Sequence, residues 1–323
     1  MTGRDPGFIR SADAAMRCLG IRSADHVLVL CNEGQSGIAD CLARAADGRA
    51  RSVRLVEYPS STRDGEEPPT FVADAMASAT AVFAPTAFSI SHTRARLDST
   101  ARGTRIATMP GITPEMFRRV LDVDYRALAR TCEWVAAELT SASSCRITSP
   151  AGTELVLSLE ERTAISDDGN LQADAAWGNL PAGEAFVAPV ETSGTGSIVF
   201  DGALAGYGML REPLHVTLVD GWAVDAEGEA AAWLLQMLDA GGPTGRLLAE
   251  LGLGTNPQAR VTGHILEDEK AVGTAHLAFG TSASIGGANV STVHIDGIVR
   301  QPTIELDGVL LIQAGEWSRG HDG

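Results

Sequence analysis

Short apolar runs alternate with amphipathic stretches over the first part of the chain. DHVLVLCN (25–32) is a continuous apolar run of strand length, and SGIADCLARAA (36–46) behind it spaces its apolar residues three and four apart, the mark of a helix with one buried face. The pairing recurs with RSVRLVEYP and PTFVADAMAS, then with ATAVFAPT and SHTRARLDSTARG, before TRIATMPGI adds a fourth strand. Strands and helices in this alternation predict a parallel, doubly wound sheet covered by helices.

The pattern then changes. A long helical stretch, DYRALARTCEWVAAELTSAS, is followed by period-2 segments with glycine-bearing turns: CRITSPAGTELVLSLEER, GEAFVAPVETSGTGSIVFDGALAGYG and PLHVTLVDGWAV. Each reads as a hairpin. One amphipathic helix, GEAAAWLLQMLDAGG (228–242), interrupts them. The expected fold class is therefore α/β, with a doubly wound Rossmann-like domain over residues 1–142 and a β-rich α+β domain over 143–323. A chain of 323 residues exceeds what one core usually organises, which agrees with two domains.

A formal charge of −16 argues against nucleic acid and against an anionic membrane surface as partners, since both demand a basic face. The five cysteines, all before residue 146, show no C-x-x-C pairing and are odd in number, so a reducing cytoplasm is expected rather than a disulfide framework. The first residues lack the apolar centre of a signal peptide, and no apolar run approaches the ~18 residues of a membrane span.

Candidate chemistry gathers late in the chain. The turn CNEGQSG can present backbone N–H groups to an anion but lacks both G-x-G-x-x-G spacing and a Walker lysine. In HID, strand geometry places His294 and Asp296 on one face with Ile295 on the other. Such a pair can share a divalent ion or simply hydrogen-bond. His276 opens another strand pattern, HLAFG, behind the acidic run EDEK (267–270). Taken alone, that histidine reads as a half-buried strand residue and the run as a solvated turn. Glu184 in NLPAGEAFVAP and Glu250 in LLAELGLGTNP stand among apolar residues, where a carboxylate must be paired, protonated or metal-bound. A shared site requires His276 to lie within about 8 Å of the His294–Asp296 pair, given metal–ligand bonds near 2 Å.

The order LPAGEAFVAP, AELGLGTNP, EDEKAVGTAHLAFG, GGANVSTVHIDG resembles the metallo-aminopeptidase family of aminopeptidase T and aminopeptidase S, together with its relative, the iron-dependent 2,5-dihydroxypyridine 5,6-dioxygenase. The resemblance covers residues 145–312 and implies a metal cleft with Glu184, Glu250, His276, His294 and Asp296 as ligands and Glu250 or Glu269 as the proton-transferring base. It implies homodimers as well. The peptidases carry a tyrosine after their histidine strand, and none lies between His276 and His294 here. Two activities follow as expectations. The first is an amide or peptide hydrolase, aminopeptidase-like, using zinc, cobalt or manganese, with up to two ions. The second is a ring-cleaving dioxygenase holding one Fe(II) on His276, His294 and Asp296. A binding protein without chemistry is a third.

Overall fold

A computed structural model of the chain describes residues 5–318. Two compact units emerge: Met1–Tyr125 with Gly169–Ala182, and Arg126–Asp168 with Gly183–Gly323. The sequence reading placed one crossing near residue 142. The chain instead leaves the first unit at Tyr125 and returns once, because Gly169–Ala182 supplies a further strand to the first unit's sheet.

In the first unit, Ser52–Glu57, His26–Cys31, Ala81–Ala84, Arg105–Thr108 and Trp177–Asn179 lie side by side in that order, all parallel. Residues 27–31 are all buried, as a strand covered on both faces must be. Helix Pro6–Cys18 packs on Ser36–Ala46 and Pro114–Val120, while Thr70–Ala77 packs on Arg94–Thr100. Thr93 and Thr113 cap two of these helices by accepting from Arg96 N and Met116 N, which satisfies donors the first turn leaves free.

The second unit opens with most of helix Tyr125–Ser141 and contains two antiparallel sheets. One runs Trp222–Glu227, Leu214–Val219, Thr195–Phe200, Glu154–Ser158, Ser144–Thr148, Thr303–Leu306, Val309–Gln313, Glu316–Trp317. The other runs Gly208–Met209, Ala203–Leu204, His294–Arg300, Thr274–Gly280, Leu248–Gly254, Glu184–Val187, Ile165–Asp167. Both contribute to a single core that includes Leu157, Ile198, Phe200, Val187, Leu251, Leu277 and Ile295. The expected hairpins at 145–162 and 213–224 form. GEAFV and GSIVF do not pair with each other: Glu184–Val187 joins the seven-stranded sheet and Thr195–Phe200 the eight-stranded one. The segment between them therefore crosses from one sheet to the other, a choice that local turn residues do not encode.

Candidate metal centre

Alternation along the seven-stranded sheet sends Ala185, Val187, Leu251, Leu253, Leu277, Phe279, Ile295 and Val299 into the core. The opposite face collects Glu184, Glu250, His276, His294 and Asp296. Glu250 reaches that face through an irregularity. Leu248 pairs with Phe279 but Glu250 with Ala278, so Ala249 is an extra residue in its strand. Without this bulge, Leu248 and Glu250, two positions apart, would share a face; with it, Leu248 enters the core and the carboxylate turns to the other side.

All five residues meet. The Glu250 carboxylate spans the two imidazoles, Oε1 lying 3.2 Å from His276 Nε2 and Oε2 lying 3.2 Å from His294 Nε2. Asp296 Oδ1 is 3.5 Å from His294 Nε2, and Glu184 Oε2 is 3.5 Å from His276 Nε2. His294 Nδ1 donates to the Thr281 carbonyl at 2.9 Å, which leaves Nε2 as the atom facing the carboxylates. Two neighbouring groups have donors close enough to share an ion: Glu250, His294 and Asp296, and Glu184, Glu269 and His276.

The run at 267–270 is not a solvated turn. Glu267 and Asp268, in the short helix Ile265–Asp268, and Lys270, just after it, are buried. Lys270 Nζ donates to Glu184 Oε1 and to Glu269 Oε1, each at 2.6 Å, and lies 3.6 Å from Asp167 Oδ2. Asp167 reaches the site because Ile165–Asp167 pairs with Glu184–Val187, placing it directly opposite Glu184.

Protonation follows from this crowding. Burial, together with the carboxylates of Glu269 and Asp167, pushes Glu184 up to about 8 despite the Lys270 ammonium. Burial likewise raises Asp167 to about 6. Burial opposes the charge of Glu250 too, yet hydrogen bonds from both imidazoles hold it well below the usual carboxylate range. Against burial, Glu250 and Glu184 lift His276 to about 9. Asp296 and Glu250 lift His294 well above its ordinary value, and Glu184, Glu269 and Asp167 do the same for Lys270. The imidazoles thus retain protons where carboxylates converge, and a metal ion is the other cation that such a place attracts.

The family model described as 2,5-dihydroxypyridine 5,6-dioxygenase (NicX) matches residues 8–319. The chain belongs to this family. Among curated proteins, the 2,5-dihydroxypyridine 5,6-dioxygenase of Pseudomonas putida is 26% identical over 234 residues, a match spanning 66% of this chain and 64% of that protein, less than two thirds of its length. Among solved structures, 2,5-dihydroxypyridine dioxygenase from Pseudomonas putida KT2440 aligns with a TM-score of 0.81 at 20% identity over 97% of both chains. AmpT from Thermus thermophilus aligns with a TM-score of 0.76 at 19% identity, over 97% of this chain and 99% of its own. The resemblance read from four sequence blocks thus extends to nearly the whole fold, including the α/β half, where the sequence likeness was weakest.

In this member of the dioxygenase family the residues fit a divalent ion on three counts. Nitrogen and carboxylate oxygen donors suit zinc, manganese, cobalt and iron. Glu184 Oε2 is buried without a hydrogen-bond partner. Gly252, opposite His276 on the neighbouring strand, leaves room for the imidazole, since a Cβ there would stand 2.0 Å from His276 Nε2. The two carboxylates expected to move protons are both engaged: Glu250 lies between the imidazoles and Glu269 accepts from Lys270. Sequence reading missed Asp167, Gly252 and Lys270. A signal for the last was present, because Lys270 is the only lysine in a chain with 25 basic residues.

Proposed function

We propose that the chain is a mononuclear non-haem iron dioxygenase that opens a hydroxylated aromatic or pyridine ring. The observation that carries this reading is the family match over residues 8–319 on a chain whose Glu250, His276, His294 and Asp296 converge within hydrogen-bonding reach. Iron held there would supply the redox chemistry by which O2 reacts with a ring, which no side chain performs alone. The chain's own contribution is placement. The Thr281 carbonyl fixes the His294 tautomer with Nε2 inward, the kind of support that orients a ligand. Glu250 sets the spacing of the two imidazoles. His276 is fully buried while the His294 side chain is 30% exposed, so substrate reaches the centre from the His294 side.

The test is oxygen consumption by Fe(II)-loaded, anaerobically prepared protein given 2,5-dihydroxypyridine and related hydroxylated rings. Mole-for-mole uptake of O2 with substrate, abolished in His294→Ala, is the expected result. Hydrolysis of aminoacyl arylamides by the zinc, cobalt or manganese form, with no oxygen uptake by the iron form, would overturn it. That second reading, a metallohydrolase acting on amide bonds, has its own support. Glu250 offers one oxygen to each imidazole, as a carboxylate bridging two ions would, and a pair of ions polarises both a carbonyl and the attacking water.

A further inference from the structure

His294 and Asp296 close the block GGANVSTVHIDG, and the first half of that block has a task of its own. Residues 281–293 join strand Thr274–Gly280 to strand His294–Arg300, and within this connection Asn289 is buried. Its Nδ2 donates to the Gly280 carbonyl and, at 3.1 Å, to the Thr244 carbonyl. Its backbone N–H donates to Ser282 Oγ at 3.2 Å, while its backbone carbonyl accepts from Ser282 N at 3.0 Å and from Thr281 Oγ1 at 3.2 Å. Asn289 therefore grips residues 280, 281 and 282 together, and Thr281 is the residue whose carbonyl accepts from His294 Nδ1. We infer that Asn289 is a positioning residue for His294. It holds the Gly280–Ser282 turn where the Thr281 carbonyl meets Nδ1, and so presents Nε2 to Glu250 and Asp296. The inference deepens the metal-centre reading and rests on it for its effect on metal affinity.

Residue choice supports this. Two carbonyls converging on one point require a side chain with two N–H donors, which a primary amide has and a carboxylate or a hydroxyl does not. Either carbonyl would lose its hydrogen bond if the amide swung away, so the amide is held by its own partners. The backbone around it is fitted to the same end. Gly287 passes so close to Ser282 that a Cβ would stand 2.1 Å from its Oγ. Ala288 N donates to Glu191 Oε1 at 2.6 Å, Glu191 pairs with Arg162, and Arg162 Nη1 donates to the Gly286 carbonyl at 3.0 Å. His294 needs such support more than His276 does. The His276 side chain is fully buried, whereas that of His294 is partly open to solvent and depends on its Nδ1 hydrogen bond for orientation.

Asn289→Ala in the full chain tests the inference by two readings. In metal-free protein labelled with ¹⁵N-histidine, the wild type is expected to show a slowly exchanging His294 Nδ1–H resonance that the variant loses. In calorimetric titration with Mn²⁺, affinity is expected to fall about 10–100-fold, as when a ligand loses its supporting hydrogen bond. Thr244→Val separates this from a general loosening of the segment. It removes the hydrogen bond from Thr244 Oγ1 to the Val290 carbonyl and leaves residues 280–282 untouched, so both readings are expected to stay at their wild-type values. Asn289→Ser, which keeps one donor on a shorter stem, is expected to fall between wild type and Asn289→Ala, and it decides the matter if Asn289→Ala does not fold. A His294 resonance and a Mn²⁺ affinity unchanged in the Asn289 variants would overturn the inference. So would equal losses in Thr244→Val. Failure of the wild type to bind Mn²⁺ would overturn the metal centre instead, and the imidazole resonance would still decide the role of Asn289.

Discussion

Gly252 is the residue on which the metal centre depends most without touching a ligand through a side chain of its own. A methyl group at this position meets His276 Nε2 at 2.0 Å, so Gly252→Ala must tilt or displace the ring that Glu250 and Glu184 address. Metal affinity is expected to fall about 10–100-fold, the usual cost of disturbing a ligand's support, with the far-ultraviolet circular dichroism unchanged; calorimetric titration with Mn²⁺ measures it. Retained affinity would mean that His276 binds no ion. Protonation at the same residues gives a second expectation. Lifting His276 from 6.5 to about 9 means that the folded, metal-free protein binds its proton more tightly than the unfolded chain. The stabilisation is complete below about 6.5 and disappears as pH rises through 9. Glu184, raised to about 8, acts with the same sign between its ordinary range and 8. The melting temperature of the apoprotein should therefore fall from pH 6.5 to pH 9, while metal affinity rises over the same interval as the imidazoles release their protons. A pH-independent affinity would exclude His276 and His294 as ligands.

Strands explain how such residues come together. Period-2 alternation made the shared face of His294 and Asp296 legible from three letters. Glu184 and His276 likewise stood out as polar residues at the start of apolar strands. The orientation of Glu250 was not legible in this way, because Leu248 and Glu250 stand two apart and end on opposite faces through the extra residue Ala249. A bulge is a property of the pairing between strands, and only the partner strand shows it. Packing between the sheets also depends on a local absence of side chain. Gly297, in strand His294–Arg300, lies under the Phe200 ring, which a Cβ would approach to 2.4 Å; that ring makes an edge contact with Phe279. Gly297→Ala is expected to cost about 1–3 kcal/mol by overpacking, measured by urea denaturation, and to loosen His294 and Asp296 along with their strand. An unchanged midpoint would show that the core yields at this point.

At the scale of the whole chain, the excess of acidic residues over basic ones is concentrated in its effect where burial prevents water from screening it. A bound divalent ion relieves that repulsion in the folded state alone, so it should raise the melting temperature in step with concentration, by about 2.7 kcal/mol at a hundred times the dissociation constant. Thermal scans across a Mn²⁺ series check this, and a flat series would remove the metal centre. Among the described residues no helix is long and apolar enough to cross a membrane, and the five cysteines are buried. The sequence by itself determined the alternation of strands and helices in the first unit, the antiparallel character of the second and the shared face of His294 and Asp296, because periodicity is a local property; Glu184, Glu250 and His276 joined that pair as candidate ligands only through the resemblance of four blocks to a known family. Only the tertiary structure decided that Gly169–Ala182 returns to the first sheet, that Thr195–Phe200 parts from Glu184–Val187, and that Asp167 and Lys270 stand beside Glu184. These depend on pairings between residues tens of positions apart, whose free energy comes from burying shared surface and charge together and is therefore invisible in any single stretch of the chain.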